Sequence, residues 1–171
     1  MAKKLLIEGW RGINHSYAMV NQYQLLELKK QPIELYHHDA PFYKKNWSPS
    51  QNFCGFNSIS FQEIGSIPAL PANIKADIIY RISYPFNLTI ASSQALFVYG
   101  TTEYQNLSRE MFYVDDGSVA YKNFPVTIVT PSNWSKEGFL KVGFRENQVK
   151  VVPHGVDLSV FKPISSELRN Q

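Results

Sequence analysis

A single cysteine, Cys54, stands in the 171 residues. An internal disulfide and a cysteine-built metal site are both excluded. So low a count fits a reducing compartment, and a cytoplasmic location is expected. Long apolar runs are missing as well. No stretch approaches the ~20 apolar residues of a membrane helix. The opening Met-Ala-Lys-Lys-Leu-Leu-Ile-Glu8 is too short in apolar residues for a signal peptide. Charge of one sign is scarce: 17 Lys and Arg face 14 Asp and Glu, for a net charge of +3. Those cations are scattered, which gives no footprint for nucleic acid and allows only weak contact with a membrane surface. The chain has neither Gly-x-Gly-x-x-Gly nor a glycine-rich loop ending in Lys-Ser/Thr, so a dinucleotide fingerprint and a P-loop are excluded, and a nicotinamide-dependent enzyme with them. No internal repeat is present. Asn14, Asn87, Asn106 and Asn133 each open an Asn-x-Ser/Thr sequon, a pattern that carries no meaning in a cytoplasmic protein.

Aromatic residues are plentiful, at 14% of the chain. They carry large buried areas, so one well-packed domain is expected despite ten prolines. Residues 4–8 form an apolar run that enters Gly9-Trp10-Arg11-Gly12-Ile13-Asn14, a buried strand followed by a glycine turn. Asn14 suits the N-cap of a helix reaching about residue 30, with Met19, Tyr23 and Leu26 as its apolar stripe, widened by Ala18, Leu25 and Leu28. Lys29 and Lys30 suit its end, Pro32 blocks continuation, and 33–38 reads as a second strand. Residues 39–76 show neither helical nor strand period. Four prolines and the aromatics Phe42, Tyr43, Trp47, Phe53, Phe56 and Phe61 mark this stretch as an irregular insertion, of the kind often given to function.

Regular structure resumes with strands at 77–82, 96–99, 126–130 and 149–152. Residues 107–122 stay open between helix and loop. Residues 133–142 read as a helix with a Glu137–Lys141 pair and Gly143 as its stop. The β-branched runs lack alternation, which suits strands covered on both faces. The expectation is an α/β domain, a Rossmann-like doubly wound and mainly parallel sheet.

Ligands of such sheets bind beyond the carboxyl ends of the strands. That rule gathers 9–15, 81–85, 100–103, 131–133 and 154–155 along one edge. In the first loop Gly9 and Gly12 let the backbone approach a ligand, with Trp10 and Arg11 between them. The helix starting near Asn14 turns amides toward an anion, and Arg11 adds charge. A plain strand-to-helix turn is the equal alternative. His15 is placed as acid, base or hydrogen-bond donor, or as a surface histidine of the first turn. His37 and His38 are adjacent on a strand, point to opposite faces and make no joint metal site with Asp39. Asp115-Asp116-Gly117 is a turn. Arg81 and Glu103 sit at strand ends, as cleft residues or solvated charges. No metal site is expected.

The most specific pattern lies late in the chain: Val126-Thr-Ile-Val-Thr-Pro-Ser-Asn-Trp-Ser-Lys-Glu-Gly-Phe-Leu-Lys-Val-Gly143, then Pro153-His154-Gly155-Val156-Asp157 and Phe161-Lys-Pro163. It resembles the end of the N-terminal domain of family 4 glycosyltransferases of the GT-B fold. The resemblance spreads over most of the chain, with its specificity after residue 126. It implies an acceptor-side domain at 1–152 and an interdomain hinge at 153–171, with the donor-binding second domain absent. It implies transfer of a sugar from a nucleotide-sugar donor to an acceptor hydroxyl, mostly with retention and without a metal or other cofactor. The donor would be held mainly by the absent domain, and the isolated chain would be inactive. By the same resemblance Gly9, Trp10, Arg11, Gly12 and Asn14 face donor diphosphate and acceptor, with His15 close by. Arg81, Ser132, Asn133 and His154 complete the substrate-binding set. The chain departs from the family after its fourth strand. Many members carry a sugar-contacting histidine there, whereas this chain has Tyr99-Gly100-Thr101-Thr102-Glu103, and Thr101 or Glu103 stands in for it.

The rival reading is a non-catalytic Rossmann-like module that binds a small ligand or a protein. The two readings differ over 156–163. A half-enzyme exposes an apolar hinge face there, or forms a homodimer through it, whereas a self-sufficient module covers it.

Overall fold

The structure is a computed structural model and describes residues 2–49, 56–158 and 161–163. Phe53 and Cys54 lie outside the described residues. Along the chain run β1 (Lys4–Gly9), α1 (Ser16–Leu28), β2 (Glu34–Asp39), α2 (Ser58–Gly65), β3 (Ile78–Ile82) and β4 (Phe86–Asn87). There follow β5 (Ala95–Tyr99), β6 (Phe112–Tyr113), β7 (Thr127–Thr130), α3 (Asn133–Lys141) and β8 (Val149–Val151). Six strands make one parallel sheet in the order β2-β1-β3-β5-β7-β8. The Rossmann-like doubly wound α/β fold expected from the sequence is therefore the fold observed. From β1 the chain steps to β2 on one side and returns to β3 on the other. That reversal is a topological switch point, where the loops leaving β1 and β3 part and open a crevice at the carboxyl edge.

The inward face of α1 differs from the expected stripe. Its buried residues are Tyr17, Ala18, Asn21, Gln22 and Leu25, while Met19 and Leu26 are half-buried and Tyr23 is exposed. The apolar period misses this because two of the inward positions are polar. Asn21 Nδ2 donates to the Trp10 carbonyl at 2.8 Å, and the Gly12 amide donates to Gln22 Oε1 at 3.1 Å. Buried amide side chains are stable there because each meets a backbone group of the first loop that would otherwise be orphaned. Gly9 is needed for the same contact: a Cβ on it would lie 2.8 Å from Asn21 Nδ2 and 3.0 Å from the Ile82 carbonyl.

Residues 39–76 are not wholly irregular, since α2 lies within them. Asn57 caps it by accepting from the Ser60 amide at 2.8 Å, and Ile64 is its buried residue. Two turns with one buried position give no periodic signal to read. Residues 107–122, left open above, hold a 3-10 turn at Arg109–Met111 and then β6, which pairs with β4 in a small parallel ladder. In α3, Glu137 and Lys141 do not pair directly; both meet the Gln105 amide, Glu137 accepting from its Nε2 at 2.8 Å and Lys141 donating to its Oε1.

Both faces of the sheet are covered, as the β-branched runs suggested, but not equally. In β3, β5 and β7 buried and half-buried residues alternate. Ile79, Leu96, Val98 and Ile128 are buried, with Phe139 of α3 among the core that packs on them. Tyr80, Phe97 and Val129 are half-buried. They belong to the face on which α1 contacts β1 and β3. One helix is too narrow to shield β5, β7 and β8 as well.

Candidate functional site

All six strands are parallel, so the segments after β1, β3, β5, β7 and β8 do meet at one edge, as expected. At the first loop, Gly12 takes φ +72°, a conformation glycine adopts without strain, and lets the chain turn into α1. Asn14 is exposed and does not cap the helix. The N-cap is His15, whose Nδ1 accepts from the Tyr17 amide at 3.2 Å. An imidazole with a lone pair committed there is neutral and keeps its proton on Nε2. Burial, helped by the Lys44 cation, lowers the His15 pKa and favours that neutral form. His15 is thus arranged as a hydrogen-bond donor rather than as a base.

Aromatic rings surround it. His15 lies 5.0 Å from the Trp10 ring, 5.1 Å from Trp47 and 5.7 Å from Tyr17, between centroids. Trp10 is buried and donates through Nε1 to the Pro41 carbonyl at 2.9 Å, which brings the 40–49 segment onto the loop. The Tyr17 hydroxyl lies 3.2 Å from Thr101 Oγ1 and accepts from the Thr101 amide at 3.2 Å. Burial pushes the Tyr17 phenol up to about 12, and the nearby Glu103 carboxylate adds to the rise. His15 and Thr101, named from sequence, are therefore brought together, with Tyr17 between them, and the charge of the exposed Glu103 acts on Tyr17. Tyr17 was not read as a site residue, because a tyrosine on the first turn of a helix has no pattern to distinguish it from core.

Other named residues are committed elsewhere. Arg11 forms a fork with Asp39, Nε to Oδ1 at 2.8 Å and Nη2 to Oδ2 at 2.5 Å, and donates to the Ile64 carbonyl at 3.1 Å. Its charge braces β2 and α2 against the loop and is not turned to a ligand. Arg81 is buried, pairs with Glu8 at 2.7 Å and donates to the Thr89 carbonyl at 2.6 Å. Ser132 is the N-cap of α3, accepting from the Ser135 amide at 3.1 Å. Asn133 is exposed and lines a depression with Lys136, Arg145 and Lys150 beside β8. His154 Nε2 lies 2.9 Å from the Tyr99 hydroxyl. Tyr99 in turn sits edge-on to Tyr17, at 5.2 Å between centroids, so His154 joins the cluster from the segment after β8.

The expected separation of His37 from His38 is observed, His37 being buried and His38 exposed. Among the described residues no cluster of three or more potential metal ligands occurs. His37 Nε2 faces Asn21 Nδ2 at 3.0 Å, and its Nδ1 lies 3.7 Å from Asp39 Oδ1. Burial, then the Arg11 charge, holds the His37 pKa down to about 4. A histidine depressed on folding contributes stability that is present above its unfolded value, about 6.5, and is lost as pH falls through the folded value. Unfolding free energy is expected to fall by about 1.4 kcal/mol per pH unit over much of that window. His37→Gln should remove this slope in urea midpoints measured across it. Asp39, lowered chiefly by the Arg11 hydrogen bond, takes over only below the ordinary carboxylate range of about 4.

In class, then, this is a Rossmann-like doubly wound α/β domain whose carboxyl edge gathers a neutral histidine, a threonine, a carboxylate and a set of aromatic rings. No family model matches the chain, and neither a curated protein nor a solved structure does.

Proposed function

We propose that the chain is the acceptor-side domain of a GT-B glycosyltransferase, moving a sugar from a nucleotide-sugar donor to an acceptor hydroxyl. The observation that carries the reading is the segment after β8. Val156, Leu158 and Phe161 are 67%, 73% and 65% exposed. They follow His154, which reaches the edge that holds His15 and Thr101 through Tyr99 and Tyr17. Apolar side chains presented beside a candidate site suit a second domain that closes over it. A groove of about 750 Å³ runs between this segment and Met19, Val20 and Tyr23 on the outer side of α1.

In this reading the Nε2 proton of His15 donates to an oxygen that gains negative charge as the bond to the leaving diphosphate breaks. The Thr101 hydroxyl, tied to Tyr17, orients the sugar, and Glu103 is the carboxylate placed to meet an acceptor hydroxyl proton. Release of nucleoside diphosphate is the direct assay, on a panel of sugar nucleotides. The protein joined to a donor-binding domain should release diphosphate and the chain alone should not. Absence of release from both removes the transferase reading.

A non-catalytic binding module is the second reading. It is favoured by the consumption of Arg11, Arg81 and the Gly12 amide in internal bonds, which leaves less of the first loop free for a diphosphate than its glycines suggest.

A further inference from the structure

The ring contacts at the carboxyl edge close on themselves. Trp47 meets Trp10 at 5.4 Å, Trp10 meets Tyr17 at 6.5 Å and Tyr17 meets Phe86 at 6.4 Å. Phe86 then meets Tyr84 at 5.6 Å, and Tyr84 meets Tyr43 at 5.4 Å. Tyr43 and Trp47 belong to one short segment, which completes the circuit. Trp10, Tyr17 and Phe86 are buried and form its base. Tyr43, Tyr84 and Trp47 form its outer part, and Tyr43 is 53% exposed. The polar tips beside these rings are the phenols of Tyr43 and Tyr84 and the Nε2 proton of the neutral His15.

The two guanidinium charges at this edge are already matched. Arg11 is held by Asp39 and Arg81 by Glu8. The Lys44 ammonium lies 5.8 Å from the Trp47 ring centroid, in a cation–π contact. The charge of the Glu103 carboxylate acts on Tyr17. An anionic ligand would meet the Glu103 carboxylate and no uncommitted guanidinium, with the Lys44 ammonium, already over the Trp47 ring, as the one nearby cation that lacks a carboxylate partner among the described residues. A neutral sugar ring fits the remaining chemistry. Its C–H face packs on aromatic faces, and its hydroxyls exchange hydrogen bonds with phenols and an imidazole N–H.

We propose that this aromatic circuit is a binding site for a neutral saccharide. The proposal deepens the transferase reading, on which it rests for the saccharide's role as acceptor, by naming the acceptor class. Maltose, cellobiose and lactose are the probes and glucose 6-phosphate is the anionic control. Binding to this chain is followed by tryptophan fluorescence and by saturation-transfer NMR. At least one disaccharide should bind saturably in the millimolar range, and more tightly than the phosphate. Trp47→Ala and Tyr43→Ala should each weaken it about tenfold or more, a loss of ~1.4 kcal/mol. Tyr113→Ala, which removes a comparably exposed ring on β6 outside the circuit, should leave binding unchanged. Far-ultraviolet circular dichroism verifies that each variant is folded. Loss of fold in Trp47→Ala leaves the decision to Tyr43→Ala, whose side chain is largely outside the core. No disaccharide binding, binding indifferent to both substitutions, or tighter binding of glucose 6-phosphate each overturns the proposal. Saccharide binding without diphosphate release by the two-domain protein sinks the transferase reading and leaves this site standing. Transfer to a non-saccharide acceptor does the reverse.

Discussion

Arg81→Met is expected to lower the free energy of unfolding by about 3–5 kcal/mol, the cost of removing one partner of a buried ion pair. The Arg81 side chain is 8% exposed and its partner Glu8 is 23% exposed. The guanidinium also donates to the carbonyls of Asn87 and Thr89, at 3.2 and 2.6 Å. Methionine keeps much of the volume and the apolar stem but leaves a carboxylate and two carbonyls without their donor. A second substitution separates these contributions. Glu8→Leu added to Arg81→Met removes the stranded charge and should restore part of the loss, while the carbonyls remain unmet. Urea unfolding followed by circular dichroism is the measurement, with an unchanged m-value as the sign that only stability has moved. If Arg81→Met costs less than about 1 kcal/mol and instead weakens ligand binding, then Arg81 belongs to the site and not to the frame.

Phe139→Ala is the second large effect, at about 3–5 kcal/mol. Phe139 is fully buried and meets Phe86 and Phe144, each at 5.7 Å between ring centroids. Its ring tip also packs on Gly100: a Cβ added there would lie 2.6 Å from Phe139 Cζ. Alanine opens a space bounded by rings and by a strand end, which cannot all collapse into it. The consequence should reach the candidate site. On α3, Ser135 accepts from the Thr102 amide at 2.8 Å and from Thr130 Oγ1 at 2.5 Å. Thr102 adjoins Thr101, so a loosened helix should release the 100–103 loop. Amide hydrogen exchange at Thr101 and Thr102 should rise along with the loss of stability. A loss below about 2 kcal/mol, with exchange unchanged, would mean that Phe86 and Phe144 fill the space.

Much of the architecture was readable in the residues. The apolar β-branched runs, the glycine turn after residue 8 and the Ser132 to Gly143 helix identify parallel strands and crossovers. The pattern at each is local, with strand residues, cap and stop adjacent in sequence. α2 was missed because an eight-residue helix with one buried position leaves no period. The α1 stripe was misassigned for a different reason. Asn21 and Gln22 face inward because the first loop needs hydrogen-bond partners, a requirement that hydropathy does not carry.

The candidate site divides along the same line. That loops after parallel strands share one edge follows from the fold class, so His15, Thr101 and Glu103 are named as candidates by position alone. Which polar side chains remain for a ligand does not follow. Arg11 and Arg81 read as candidate cleft charges until Asp39 and Glu8, both distant in sequence, are seen to hold them. His15 read equally as acid, base or donor until its Nδ1 met the Tyr17 amide. The fold class, the order of strands along the chain and the edge shared by the candidate loops are written in the residues alone, because these rest on local periodicity and chain geometry. Only the tertiary structure decided which charges are spent on the frame, which tautomer His15 holds and that the aromatics close into a circuit. Those depend on contacts between residues far apart in the chain, and no local pattern records them.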